Sequence, residues 1–138
     1  MTDPHVDNDS PVNIARFQSS VLGARICEII WRYEREMTRT NKQKYVAVRT
    51  RQQLLRNGPV QTVKTTVSRR PSVGFKYLIT RGRAQDTYEW LALEDPRFKS
   101  LWEKAASRLF SHGIRKYPGY DHLMRDRKPL GRPPRLAA

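Results

Sequence analysis

The chain has 138 residues, of which 38% are hydrophobic and 29% charged, which is enough for one globular domain and excludes a wholly disordered polymer. Its 27 Lys and Arg outweigh 13 Asp and Glu to give a net charge of +14, and so large a surplus points to a polyanionic partner, because each neutralised phosphate releases condensed counterions. No apolar run approaches a membrane span, no secretory pattern opens the chain, and the single cysteine, Cys27, excludes an internal disulfide. These features imply an intracellular protein, cytoplasmic and nucleoid-associated, or nuclear in a eukaryote.

Residues 1–9, MTDPHVDND, are acidic and aperiodic, and a disordered N-terminus is expected. Ser10-Pro11 has the form of a helix start, with Ser as cap and Pro at the first helical position. The helix should run to about Met37. Leu22, Ile26, Ile29, Ile30, Tyr33 and Met37 form its stripe, and Cys27 with Trp31 widens it. Gly23 is expected to mark a kink or break in the first third. An apolar face this wide suits the central core helix first, and second a homodimer or protein partner docking through Ile26, Ile30 and Trp31. Residues 38–44 look like a basic loop, and 45–48 like a strand fragment or the lead-in to the next helix.

The central segment 49–82 combines helix signals, turn signals and basic side chains. Good helix formers run from Arg51 to Arg56, Asn57-Gly58 supplies a left-handed stop, and Pro59 stands where a second helix can begin. Val60, Val63 and Val67 share one face of that second helix, leaving Gln61, Thr62, Lys64, Thr65 and Ser68 outward. Arg70-Pro71 ends it. The β-branched run from Val60 to Val67 also suits a strand, which is the structural alternative. Two short helices about a glycine turn are the parts of a helix-turn-helix reader, whose second helix enters the DNA major groove. Gln61 then suits adenine and Lys64 guanine, Thr65 adds a hydroxyl, Arg56, Arg69 and Arg70 suit phosphates, and Arg51 completes the nucleic-acid-binding set. The plainer alternative is a pair of bundle helices with a solvated outer face.

Ser72 is the expected cap of a helix carrying Phe75, Leu78 and Ile79 and stopped at Gly82. Asp86 and Glu89 form an Asp-led capping box before Tyr88, Trp90, Leu91 and Leu93. Asp95-Pro96 caps the next helix, in which Phe98, Leu101, Trp102, Ala105, Ala106, Leu109 and Phe110 keep helical spacing until Gly113. The expected fold is all-α, a small orthogonal bundle of five or six helices over residues 10–112 with a helix-turn-helix-like centre. Beyond it, residues 113–138 form an extended basic tail. Within the tail, Lys128-Pro129-Leu130-Gly131-Arg132-Pro133-Pro134-Arg135 resembles an AT-hook. Gly131, Arg132 and Pro133 match its centre, and Leu130 stands where the family usually has arginine. The resemblance implies Arg132 in a narrow A·T-rich minor groove, with Lys128 and Arg135 on phosphates. Tyr117 and Tyr120, among cations, either stack on exposed bases or anchor the tail.

Catalytic patterns are missing. His5, His112 and His122 lie far apart, no cluster has metal-ligand spacing, and there is neither a phosphate-binding glycine loop nor a nucleophile elbow. His112 suits a helix C-terminal cap. The sequence therefore reads as a non-enzymatic protein without cofactor or metal that binds nucleic acid, DNA in preference to RNA and not membrane, as a small regulator or architectural factor. The rivals are an RNA-associated, ribosome-type protein and a protein-interaction module or inhibitor of a nucleic-acid enzyme.

Overall fold

A computed structural model of the chain describes residues 12–119. Among the described residues the fold is all-α, as expected, with no strand. Its helices are α1 (Val21–Asn41), α2 (Val48–Ser68), α3 (Val73–Thr80), α4 (Tyr88–Leu93) and α5 (Trp102–Ser111), with 3-10 turns at Ala15–Ser19, Ala84–Asp86 and Pro96–Leu101. The chain falls into two compact units that divide between Thr62 and Val63, inside α2.

In the first unit the break expected at Gly23 falls just before it, at Ser20, while the expected start at Ser10-Pro11 lies outside the described residues. Residues 15–19 form a 3-10 turn opened by Asn13, whose Oδ1 accepts from the Ala15 N–H at 2.8 Å. The α-helix begins only after Ser20, whose extended backbone (φ −118°, ψ 156°) lets its Oγ accept from the Gly23 N–H at 3.0 Å. Gly23 thus serves the entry to the helix rather than a kink within it. A Cβ there would collide with the Phe17 carbonyl oxygen and come within 2.8 Å of Ser20 Oγ. At the other end α1 continues through 38–41, absorbing half of the expected basic loop, and stops at Lys42 in the left-handed region (φ 57°). Leu22, Ile26, Cys27, Ile29, Ile30 and Trp31 are buried, so the wide stripe belongs to the chain's own core.

Residues 45–47 lead into α2, which bends at Gly58. That residue has φ 81° and ψ 168°, a conformation open to glycine but strained for residues with a Cβ, and it separates the arms 48–57 and 59–68. Pro59 follows, where its missing N–H interrupts no helical bond. The β-branched run 60–67 is helical. Val63 and Val67, one turn apart, are both 0% exposed, and their burial on one face outweighs strand propensity.

In the second unit Ser72 caps α3 as expected, its Oγ accepting from the Phe75 N–H at 3.0 Å. Gly82 (φ 74°) follows α3, and Gly113 (φ 92°) follows α5. The cap of α4 differs from expectation. Thr87, not Asp86, accepts from the Trp90 N–H (3.2 Å) and donates to the Ala84 carbonyl (2.7 Å). Asp86 is taken by Arg83, whose Nε and Nη2 donate to its Oδ2 at 3.0 and 2.9 Å. Asp95 does cap the next segment, accepting from the Arg97 N–H at 3.0 Å. That segment starts as a 3-10 stretch, distorted at Phe98, and becomes α-helical only at Trp102. Trp102 Nε1 donates to the Ala92 carbonyl at 2.8 Å, tying the start of α5 to α4. Ala105, Ala106, Leu109 and Phe110 are the buried face of α5.

Candidate nucleic-acid interface

The arm 59–68 presents two unlike faces. Val63 and Val67 are fully buried, while Gln61, Lys64 and Ser68 are exposed and Thr65 is half-buried. Positions 61, 64, 65 and 68 therefore make one outward polar stripe at helical spacing. Thr62 departs from the expected outward set. It is 0% exposed, and its Oγ1 has no hydrogen-bond partner. Beyond the arm, Arg69 and Arg70 are exposed, as is Arg56 on the preceding arm. The joint between the arms is the single residue Gly58, shorter than the turn of roughly three to four residues in helix-turn-helix readers. The usable feature is the face of one helix.

The end of this helix is held from α5. Its last carbonyls have no partner within the helix, and cations are favoured there by the dipole. Lys104 Nζ donates to the Ser68 carbonyl at 2.8 Å, and Arg108 Nη2 donates to the Arg69 carbonyl. These two side chains lie four residues apart on α5, hence on one face of it. Arg108 in turn donates through Nη1 to Glu89 Oε2 at 2.6 Å. Burial pushes the Glu89 carboxyl above its ordinary range, opposed by the Arg108 hydrogen bond and charge. The backbone of Arg69 is fixed while its side chain stays in solvent. His112 caps α5 as expected, with Nδ1 2.9 Å from the Arg108 carbonyl and its ring edge-on to Phe75 at 5.0 Å between centroids.

Arg51 does not belong to the interface. Its side chain is 1% exposed and forms a forked pair with Glu34, itself 0% exposed, through Nε to Oε2 (2.7 Å) and Nη2 to Oε1 (2.6 Å). Glu34 Oε2 also accepts the Ala47 N–H at 2.8 Å, so a carboxylate from α1 sits on the N-terminus of α2, where the helix dipole favours it. The sequence does carry a signal for this. Glu34 lies four residues after Ile30 in an apolar stripe, and an acid buried there needs a cation. Glu89, next to Trp90 and Leu91, is the second such acid, and Arg108 is its partner.

The protein-docking alternative through Ile26, Ile30 and Trp31 fails because all three are buried. Tyr117 is buried too, which agrees with an anchor and removes it from base stacking, while Tyr120 lies outside the described residues. Lys128, Arg132 and Arg135, with the AT-hook-like stretch, also lie outside them. Burial pushes the Cys27 thiol up to about 11, opposed by the nearby charge of Arg51, so it stays protonated at neutral pH. Its Sγ donates to the Ile14 carbonyl at 3.3 Å. Among the described residues no group of three His, Cys, Asp or Glu is placed to hold a metal, and no helix is long and apolar enough to cross a membrane. Comparison with family models, with curated proteins and with solved structures gives no match to this chain.

Proposed function

We propose that the protein binds double-stranded DNA, as a small regulator or architectural accessory factor, through the outer face of the arm 59–68. The observation that carries this is one of charge and placement together. Between Glu36 and Asp86 the chain has twelve Lys and Arg and no acidic residue, and the outward helix face lies within that stretch. An α-helix fits the major groove, where Gln61 matches the donor and acceptor of adenine and Lys64 the acceptors of guanine. Arg56, Arg69 and Arg70 supply phosphate contacts, which fix register without reading sequence. Lys104 and Arg108 hold the carbonyls of Ser68 and Arg69 at the end of the helix, so this contact starts from a positioned backbone. The basic tail with Lys128, Arg132 and Arg135 adds affinity for any duplex.

Fluorescence anisotropy with nuclease-treated protein, at several salt concentrations, tests it against A·T-rich duplex, G·C-rich duplex, single-stranded DNA and structured RNA. Duplex preference should persist at physiological salt. Replacing Gln61 and Lys64 with alanine should erase sequence preference, each substitution removing about 1–3 kcal/mol of discrimination between bases. Replacing Arg69 and Arg70 should weaken binding to all duplexes and flatten the salt slope by about two. Equal, steeply salt-dependent binding to all four probes would reduce the interaction to generic charge. A winning structured RNA would identify an RNA-associated protein instead.

A further inference from the structure

Between α2 and α3 the chain runs Arg69-Arg70-Pro71-Ser72-Val73. Residues 70–72 belong to no helix, and Ser72 is exposed on an extended backbone (φ −84°, ψ 170°). Arg69 and Arg70 are exposed, and Val73 is 83% exposed, second only to Val21 among the large apolar side chains of the described residues. A serine hydroxyl is therefore offered with two guanidiniums three and two residues before it and an open aliphatic side chain directly after it. Kinases select substrates by such charge patterns, and an acid-lined cleft reads paired arginines. Among the described residues the other hydroxyl caps lack the pattern. Phe17 and Gln18 precede Ser20 at those positions, and Ala84 and Gln85 precede Thr87.

We propose that Ser72 is a phosphorylation site for an arginine-directed serine/threonine protein kinase, and that the phosphate there switches off the DNA contacts of Arg69 and Arg70. The second clause rests on the DNA-binding function proposed above; the first does not. In the transfer, an aspartate of the kinase accepts the hydroxyl proton and Ser72 Oγ attacks the γ-phosphorus of a nucleoside triphosphate. The new O–P bond forms as the bridging bond to the β-phosphate breaks, and nucleoside diphosphate leaves. Access requires only that the first turn of α3 opens, and an eight-residue helix is marginal by itself. The product adds about −1.5 to −2 charges. It adds them at a helix start whose first turn holds no acid, with Arg69 and Arg70 just upstream and Lys76 one turn on. Both guanidiniums are then drawn to the phosphoserine and withdrawn from DNA phosphates.

The full chain, incubated with an arginine-directed serine/threonine kinase and γ-labelled ATP, should take up one phosphate per chain, mapped by mass spectrometry to Ser72. Ser72→Asn should abolish uptake while retaining a capping acceptor, so loss of label there cannot be ascribed to an unfolded helix. The double variant Arg69→Ala/Arg70→Ala should be labelled at least about tenfold more slowly. Duplex affinity of the phosphorylated chain should fall by about tenfold or more, with a salt slope lower by about two. Absence of label at Ser72, or labelling indifferent to the arginine pair, overturns the site. Stoichiometric labelling with undiminished duplex affinity overturns the switch and leaves the site standing. Unmodified protein that binds no duplex overturns both the DNA-binding function and the switch, and the labelling alone then decides the site.

Discussion

Arg51 and Arg56 stand on the same arm of α2, five positions apart, and the fold gives them opposite fates. Arg51 is buried against Glu34, whereas Arg56 is exposed. Removing one member of a buried pair strands the other charge in a low-dielectric interior. Arg51→Ala should therefore cost about 3–5 kcal/mol of stability. Arg56→Ala should stay within about 0.5 kcal/mol, as surface changes do, and lower duplex affinity instead. Urea midpoints separate the two, and an Arg51→Ala variant as stable as the parent would show that the pair contributes nothing. Both arginines satisfy the same helical pattern in the sequence. Only the partner seventeen residues upstream, brought in by α1, tells them apart.

Among the elements, the breaks at Gly58, Gly82 and Gly113 were readable, whereas the end of α1 and the starts of α1, α4 and α5 were not. Asn57-Gly58, Gly82 and Gly113 each fall where a helix ends or breaks, because a positive φ there is a backbone requirement that glycine meets locally. The start of α1 depends instead on Phe17 folding back over Ser20 and Gly23, a contact that no propensity encodes. Gly23→Ala must displace a backbone carbonyl, and crowding of that kind costs about 1–3 kcal/mol. This outweighs the gain in helix propensity of about 1 kcal/mol. At Gly74 a Cβ would meet only Ser72 Oγ at 3.6 Å, so Gly74→Ala should raise stability by up to about 1 kcal/mol. Thermal melts of the two variants should move in opposite directions, and a Gly23→Ala protein that melts higher than the parent would remove the close-approach account.

Across the second unit, the end of α2 is joined to α4 and α5 through Arg108, which binds the Arg69 carbonyl and Glu89. Burial holds the Glu89 carboxyl above its ordinary value of 4.5, so the folded chain keeps this proton to a higher pH than the unfolded chain does. Between those two values the folded state binds more protons, and the contribution of this group to stability falls as pH rises through the window. Glu89→Gln removes that titration. Its stability relative to the parent should therefore rise as the pH increases above the ordinary carboxylate value of 4.5, read as the difference in unfolding free energy at each pH, and a difference that stays flat would sink the assignment. The sequence by itself determined the all-α class, the apolar stripes of α1 and α5, the valine face of α2 and the basic surplus. Each of these depends on periodicity or composition, which are local or additive. The tertiary structure alone decided which cation each of the buried acids Glu34 and Glu89 meets. Glu34 meets Arg51 and Glu89 meets Arg108 across 17 and 19 residues of sequence, and no period of 3.6 residues carries those pairings.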